Sequence, residues 1–147
     1  MKPAPFEYIA PGSVEETLEI LAEYGEEAKI IAGGQSLMPL LNMRRTAPGV
    51  LVDINGLTGL DYIRQERNSI HIGALTRQYR LEEAPVIQNV VPILTGVVRL
   101  IGHPAIRHAG TIGGSLAHAD PAAELPAVLS ALEGGVRVLG PSGAVSY

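Results

Sequence analysis

Two glycine pairs, Gly33-Gly34 and Gly113-Gly114, are each followed closely by serine, in Ala32-Gly33-Gly34-Gln35-Ser36-Leu37 and Thr111-Ile112-Gly113-Gly114-Ser115-Leu116. This is the composition of an anion-binding loop. Glycine lets backbone N–H groups approach an anion with no Cβ in the way, and a helix starting just beyond adds unpaired donors and the positive end of its dipole. Built twice, such loops suit a pyrophosphate held from opposite sides. One pair alone reads more simply as a tight turn between elements.

Other chemistry-bearing residues form weaker patterns. His103, His108, His118 and Asp120 match no familiar metal-ligand spacing and are interrupted by Pro and Gly. No metal ligand is assigned. His118, beyond the second glycine pair, either lines a phosphate site or is a partly buried hydrogen-bonding residue. Ser36 and Ser115 have no evident partner base and suit helix caps or phosphate contacts better than nucleophiles. Glu124 is read either as a hydroxyl acceptor, such as a ribose contact, or as a charge near a helix N-terminus. Arg44-Arg45 is a solvated pair or an anion-steering one. No catalytic side chain is nominated.

The elements that must position these residues fall into two patterns. Phe6–Ile9 reads as a strand, and Ser13-Val14-Glu15-Glu16 has capping-box spacing for a helix that Gly25 ends. Ala28–Ala32 is expected as a buried strand entering the first glycine loop, with a short helix from Ser36 to about Met43 and a strand over Gly49–Ile54. This alternation predicts a small parallel sheet with right-handed crossovers, whose strand carboxyl ends gather ligands. Beyond Asn55-Gly56, Leu60–Gln65 and Ser69–Gly73 predict an antiparallel hairpin across Arg67-Asn68. Helices are predicted over Arg77–Glu83 and Val86–Leu100, the latter kinked or broken at Pro92. Another is predicted from near Glu124, with Pro126 in its first turn. Val136–Leu139 and Ala144–Tyr147 form a closing hairpin. The two lobes are expected at 1–55 and 56–147.

Composition narrows the function classes. The chain has 147 residues, 46% of them hydrophobic, which is ample for one core. Aromatics are only 4% and the net charge is -4, so neither stacking platforms nor a basic face favours nucleic acid. No apolar run is long enough to span a bilayer and the amino terminus lacks a signal-peptide stretch, so the cytoplasm is the expected location. With zero cysteines, no thiolate-ligated cluster fits in this chain. Redox chemistry here would need a bound organic cofactor.

Several motifs then occur in one order: Ile31–Leu37, Asn42-Met43-Arg44, Leu51–Ile54, Ile72-Gly73-Ala74, and Ile106–His118 followed by Asp120-Pro121-Ala122-Ala123-Glu124-Leu125-Pro126. In these the chain resembles the FAD-binding medium subunit of molybdenum hydroxylases, the carbon monoxide dehydrogenase and xanthine dehydrogenase group. The resemblance covers essentially the whole chain. It implies an α+β, two-lobed FAD-binding fold of the vanillyl-alcohol-oxidase (PCMH) type, a small parallel β-α-β lobe preceding a mainly antiparallel α+β lobe.

The same resemblance implies the site. Ala32, Gly33, Gly34, Gln35 and Ser36 would hold the pyrophosphate with Thr111, Gly113, Gly114 and Ser115. Lys29, Ile31 and Leu37 border the first loop, while Ile101, Gly102 and Ile106 line the flavin or its linking chain. Ala74 and Gly110 belong to the matching motifs, and Ala117, His118, Ala123 and Glu124 fall where the family touches phosphates or sugar. The family usually carries Asn at Ser115 and Asp at Glu124, changes that alter reach more than chemistry.

The implied role is electron relay. A molybdenum-cofactor large subunit oxidises substrate, [2Fe-2S] clusters on a small subunit carry electrons onward, and the flavin passes them to an acceptor. The alternatives are a stand-alone flavin reductase of the same fold, or a flavin-free fragment acting as an assembly module. Members of the family continue past the point where this sequence stops. The hairpin ending at Tyr147 is therefore expected to leave an open edge that self-associates or frays, with FAD held weakly and electrons transferred poorly.

Overall fold

The structure is a computed structural model that describes residues 2–147. Its first part is β1 (Glu7–Ile9), α1 (Val14–Tyr24), β2 (Ala28–Ile31), α2 (Leu37–Asn42) and β3 (Val50–Asp53). The strands form a parallel sheet in the order β1-β3-β2. Ser13 caps α1 by accepting from the Glu16 N–H at 3.0 Å, and the Glu16 carboxylate accepts from the Gly12 N–H at 2.6 Å. The reciprocal bond of the box is thus displaced by one residue. Gly25, at φ 51°, ends the helix in a conformation that favours glycine. Ile20, Leu21 and Tyr24 pack with Ile9 over Ala28, Val50 and Val52.

β3 is the buried centre of this sheet, whereas β2 is an edge. Ala28 is buried but Lys29 and Ile30 are exposed, so the expectation of a buried strand holds only at its start. Both β2 and β3 point their carboxyl ends toward the first glycine loop. Ser36 occupies the N-cap position of α2 without making a capping bond.

The second part begins with the hairpin β4 (Ile63–Glu66) and β5 (Ser69–Ile72), closed across Arg67-Asn68. It continues through α3 (Gln78–Glu83), α4 (Pro85–Val90), α5 (Pro92–Val98), α6 (Pro104–Ala109), α7 (Ile112–His118) and α8 (Glu124–Ala131), ending in the hairpin β6 (Arg137–Gly140) and β7 (Gly143–Ser146). Proline stands at the first position of α4, α5 and α6, where its missing N–H costs nothing. Pro92 therefore breaks the predicted long helix in two. The core here joins Leu81, Ile87, Leu94, Val98, Leu125 and Val128, covered by Ile63, Ile70 and Ile72 of the hairpin and by Ile112 and Leu116 of α7. Each such buried aliphatic contributes about 1.5–3 kcal/mol. Among the described residues no helix is long and apolar enough to cross a membrane.

Candidate functional site

The two glycine motifs meet, although they do so differently. Gly33 packs on the turn that follows α6: a Cβ built there would lie 2.3 Å from the Ala109 carbonyl oxygen and 2.7 Å from the Gly110 Cα. Only a residue without a side chain permits this approach. Gly34 has φ 68°, again a glycine conformation. The loop is stiffened by Gln35, whose Nε2 donates to the Gly33 carbonyl at 2.9 Å.

Among the described residues, the N–H groups of Gly33, Gly34, Gln35 and Ser36 find no protein acceptor. A run of free, adjacent amides suits an anionic oxygen.

The second pair lies within the first turn of α7 rather than in a loop before it. Thr111 is the N-cap, and its buried Oγ1 accepts from the Gly114 N–H at 3.1 Å. The Ile112 N–H donates to the Thr76 carbonyl at 3.0 Å and the Gly113 N–H to the Ala74 carbonyl at 2.9 Å. These amides are spent inside the protein. Gly113 serves packing, since its Cβ would lie 2.6 Å from the Ala74 Cβ and 2.7 Å from the Ala74 oxygen. Gly114, Ala117 and His118 form the exposed stripe of α7, and a Cβ on Gly114 would come within 4.0 Å of the Ala32 Cβ. The open face of α7 therefore borders the first loop.

A hydrogen-bond chain ties these parts together. Asn55 donates through Nδ2 to the Ala32 carbonyl at 2.8 Å and accepts at Oδ1 from an Arg77 Nη2–H at 2.7 Å. The other arm of the Arg77 fork donates to the Ala109 carbonyl. Asp53 accepts at Oδ1 from the Asn55 backbone N–H at 2.8 Å and from Nδ2 at 2.6 Å, while its Oδ2 accepts from the Tyr8 hydroxyl. Sequence reasoning assigned none of Tyr8, Asn55 and Arg77 to the site; Asn55-Gly56 marks there only the change from the first pattern to the second.

Partial desolvation pushes the Asp53 carboxyl up, but the bonds from Tyr8 and Asn55, with the Arg77 charge, hold it below the usual range. A depressed carboxylate contributes stability that is present above its unfolded value near 4 and is lost as pH falls through the lower folded value. The urea midpoint should thus drop as pH falls below about 4, the ordinary carboxylate value. Tyr8→Phe should shrink that drop in acid titrations of the midpoint, and an unchanged profile would exclude the Tyr8 hydrogen bond as its source.

Other predicted positions lie outside this hydrogen-bond chain. Lys29 lines a depression with Glu26, Glu27, Thr46 and Pro48, at the end of the sheet where β3 starts. Gly102, at φ 44°, packs under Ile106, and the Ile101 carbonyl accepts from Arg107 Nη1 at 3.0 Å. Arg107 and Arg99 both pair with Glu82 at 3.2 Å. Glu124 opens α8 after Ala123, whose N–H donates to the Asp120 carbonyl at 2.9 Å. The His108 ring stacks on Tyr79 with centroids 4.4 Å apart. No group of three or more His, Asp or Glu side chains among the described residues is placed to hold a metal ion.

Comparison with known proteins places this arrangement in context. The family model described as the FAD binding domain in molybdopterin dehydrogenase matches residues 4–147. The alpha subunit of the 6-hydroxypseudooxynicotine dehydrogenase complex of Paenarthrobacter nicotinovorans is 56% identical over 133 residues, 90% of this chain and 45% of that protein. The medium chain of carbon monoxide dehydrogenase from Hydrogenophaga pseudoflava is 41% identical over 143 residues, 97% of this chain and 50% of that protein. Among solved structures, carbon monoxide dehydrogenase from that organism superposes with a TM-score of 0.97 at 40% identity, covering 99% of this chain and 51% of that one. Quinoline 2-oxidoreductase from Pseudomonas putida 86 gives 0.97 at 39% identity, covering 100% and 51%. The chain spans about half the length of these relatives.

Proposed function

Because the chain belongs to the family of FAD-binding domains of molybdopterin dehydrogenases, we propose that it forms the FAD-binding part of an electron-transfer subunit in a molybdenum hydroxylase. The observation that carries this reading is the run of free amides from Gly33 to Ser36, set against the Ala109-Gly110 turn and bordered by the open face of α7. Backbone donors fixed in a glycine loop fit phosphate oxygens, so the residues present suit the dinucleotide. The Ser36 hydroxyl, which makes no capping bond, adds a side-chain donor at the same loop.

The second motif contributes differently. With its glycine amides occupied, it supplies the exposed stripe of Gly114, Ala117 and His118 as a wall, and Ser115 as a further hydroxyl. Ala123 and Glu124 at the start of α8 are assigned to the sugar, and Ile101, Gly102 and Ile106 to the flavin or its linking chain. Ile31, Leu37, Ala74, Gly110 and Thr111 shape the backbone around these contacts. Lys29 faces elsewhere and is assigned a bordering role only.

When bound, the flavin supplies the redox chemistry, accepting and releasing electrons between one-electron and two-electron partners. The chain itself binds, orients and shields. Its zero cysteines leave iron–sulfur ligation to a separate [2Fe-2S] small subunit, and substrate oxidation to a large subunit carrying the molybdenum cofactor. We place the assembly in the cytoplasm, with lobes at 1–55 and 56–147.

FAD should bind at least about tenfold more tightly than FMN, a difference near 1.4 kcal/mol, because only the dinucleotide offers a pyrophosphate. Titration of deflavinated protein with each, followed by flavin fluorescence, checks this; equal affinities overturn it. Reduction by a nicotinamide nucleotide in the absence of partner subunits would point instead to a stand-alone flavin reductase.

A further inference from the structure

We propose that Arg77 and Asn55 act as a clamp that fixes the spacing between the first glycine loop and the turn into α7, and thereby sets the preference for a dinucleotide over a mononucleotide. This rests on the FAD reading above. The carbonyls the clamp holds are those of Ala32, immediately before Gly33, and Ala109, immediately before Gly110. Each therefore lies at the hinge of one half of the site.

Geometry divides the work between contact and bond. The approach of Gly33 to Ala109 and Gly110 limits how close the two halves can come, since van der Waals repulsion resists compression but not separation. Resistance to separation must come from directional bonds. The Arg77 guanidinium is a planar fork that reaches the Asn55 Oδ1 at 2.7 Å and the Ala109 carbonyl together, which a lysine ammonium on a flexible stem does not reproduce. Asn55 carries the link on to Ala32 at 2.8 Å. It is itself held by Asp53, and Asp53 by Tyr8 of β1, so the clamp is anchored in the parallel sheet. Arg77 and Asn55 are positioning residues, for the amides offered to phosphate belong to the glycine loop.

A ligand that engages both halves needs their spacing held, whereas one that engages a single half does not. Asn55→Ala and Arg77→Met should each weaken FAD binding by about tenfold, the scale of one hydrogen bond to a charged group, and weaken FMN binding by less than about twofold. Asn55 is exposed, so its replacement keeps the test available should Arg77→Met, which removes a half-buried side chain, impair folding. A proportional loss of FAD and FMN affinity would overturn the role in selectivity.

A measurement without flavin tests the clamp itself. In urea unfolding of the deflavinated protein, the double variant should be little less stable than the worse single variant, because both changes cut one chain of bonds. Additive effects would overturn the clamp. Wild-type protein with no preference for FAD would overturn the FAD reading, and the selectivity role with it, whatever the coupling.

Discussion

Gly33→Ala is expected to strip the protein of FAD and to lower its stability by about 1–3 kcal/mol, the usual range for overpacking. The added methyl would meet the Ala109 oxygen at 2.3 Å and the Gly110 Cα at 2.7 Å, and both are backbone atoms. Neither yields as a side-chain end does. Ala109 is further held by Arg77, so relief must come from displacement of the first loop, whose free amides then lose their aim. Flavin absorbance per mole of purified protein and the urea midpoint together check this. Full flavin occupancy at unchanged stability would show that the loop does not dock as described.

The second large effect separates adjacent glycines. Gly114→Val should reduce flavin retention more than about tenfold while costing no more than about 1–2 kcal/mol of stability, the scale of a disturbed helix cap. At this position a Cβ meets only the Thr111 Oγ1 at 2.8 Å, and beyond it the Ala32 Cβ at 4.0 Å. A branched side chain therefore fills the space between α7 and the first loop without entering the core. Gly113→Ala should behave in the opposite way, because its methyl runs into the Ala74 backbone and destabilises the packing of α7. Thermal denaturation beside flavin content distinguishes them. Stoichiometric flavin in Gly114→Val would remove the exposed face of α7 from the site.

Local signals in the sequence account for much of this arrangement. The Ser13 cap, the two-residue hairpin loop at Arg67-Asn68, and prolines at Pro92 and Pro126 each act over a few residues, and each stands as read. The short α6 was not legible, since His103-Pro104 looks like a break and its six residues carry no capping side chain. Nor was the edge position of β2, because Ile30 and Ile31 look buried in sequence although the strand order leaves Ile30 exposed.

The glycine pairs show the limit most clearly. Gly33 and Gly113 are both fixed by contacts with distant backbone, and nothing adjacent in sequence distinguishes a glycine that admits the Ala109-Gly110 turn from one that admits Ala74. Asn55 and Arg77 were illegible for the same reason. Their partners at Ala32 and Ala109 become neighbours only when the chain has folded.

The contact between Gly33 and Ala109 also orders events during folding. The parallel sheet and the β4–β5 hairpin each form from segments near in sequence, whereas closing the loop that joins these two residues costs more chain entropy than either. That closure gains few apolar contacts of its own, so it contributes little to the rate-limiting step and completes late. Mutations at Gly33, Asn55 or Arg77 should consequently accelerate unfolding and leave the refolding rate nearly unchanged. On heating, the junction between the glycine loop and α7 is expected to open before either hydrophobic core gives way, so that flavin fluorescence should report ligand loss at a lower temperature than far-UV circular dichroism reports loss of secondary structure.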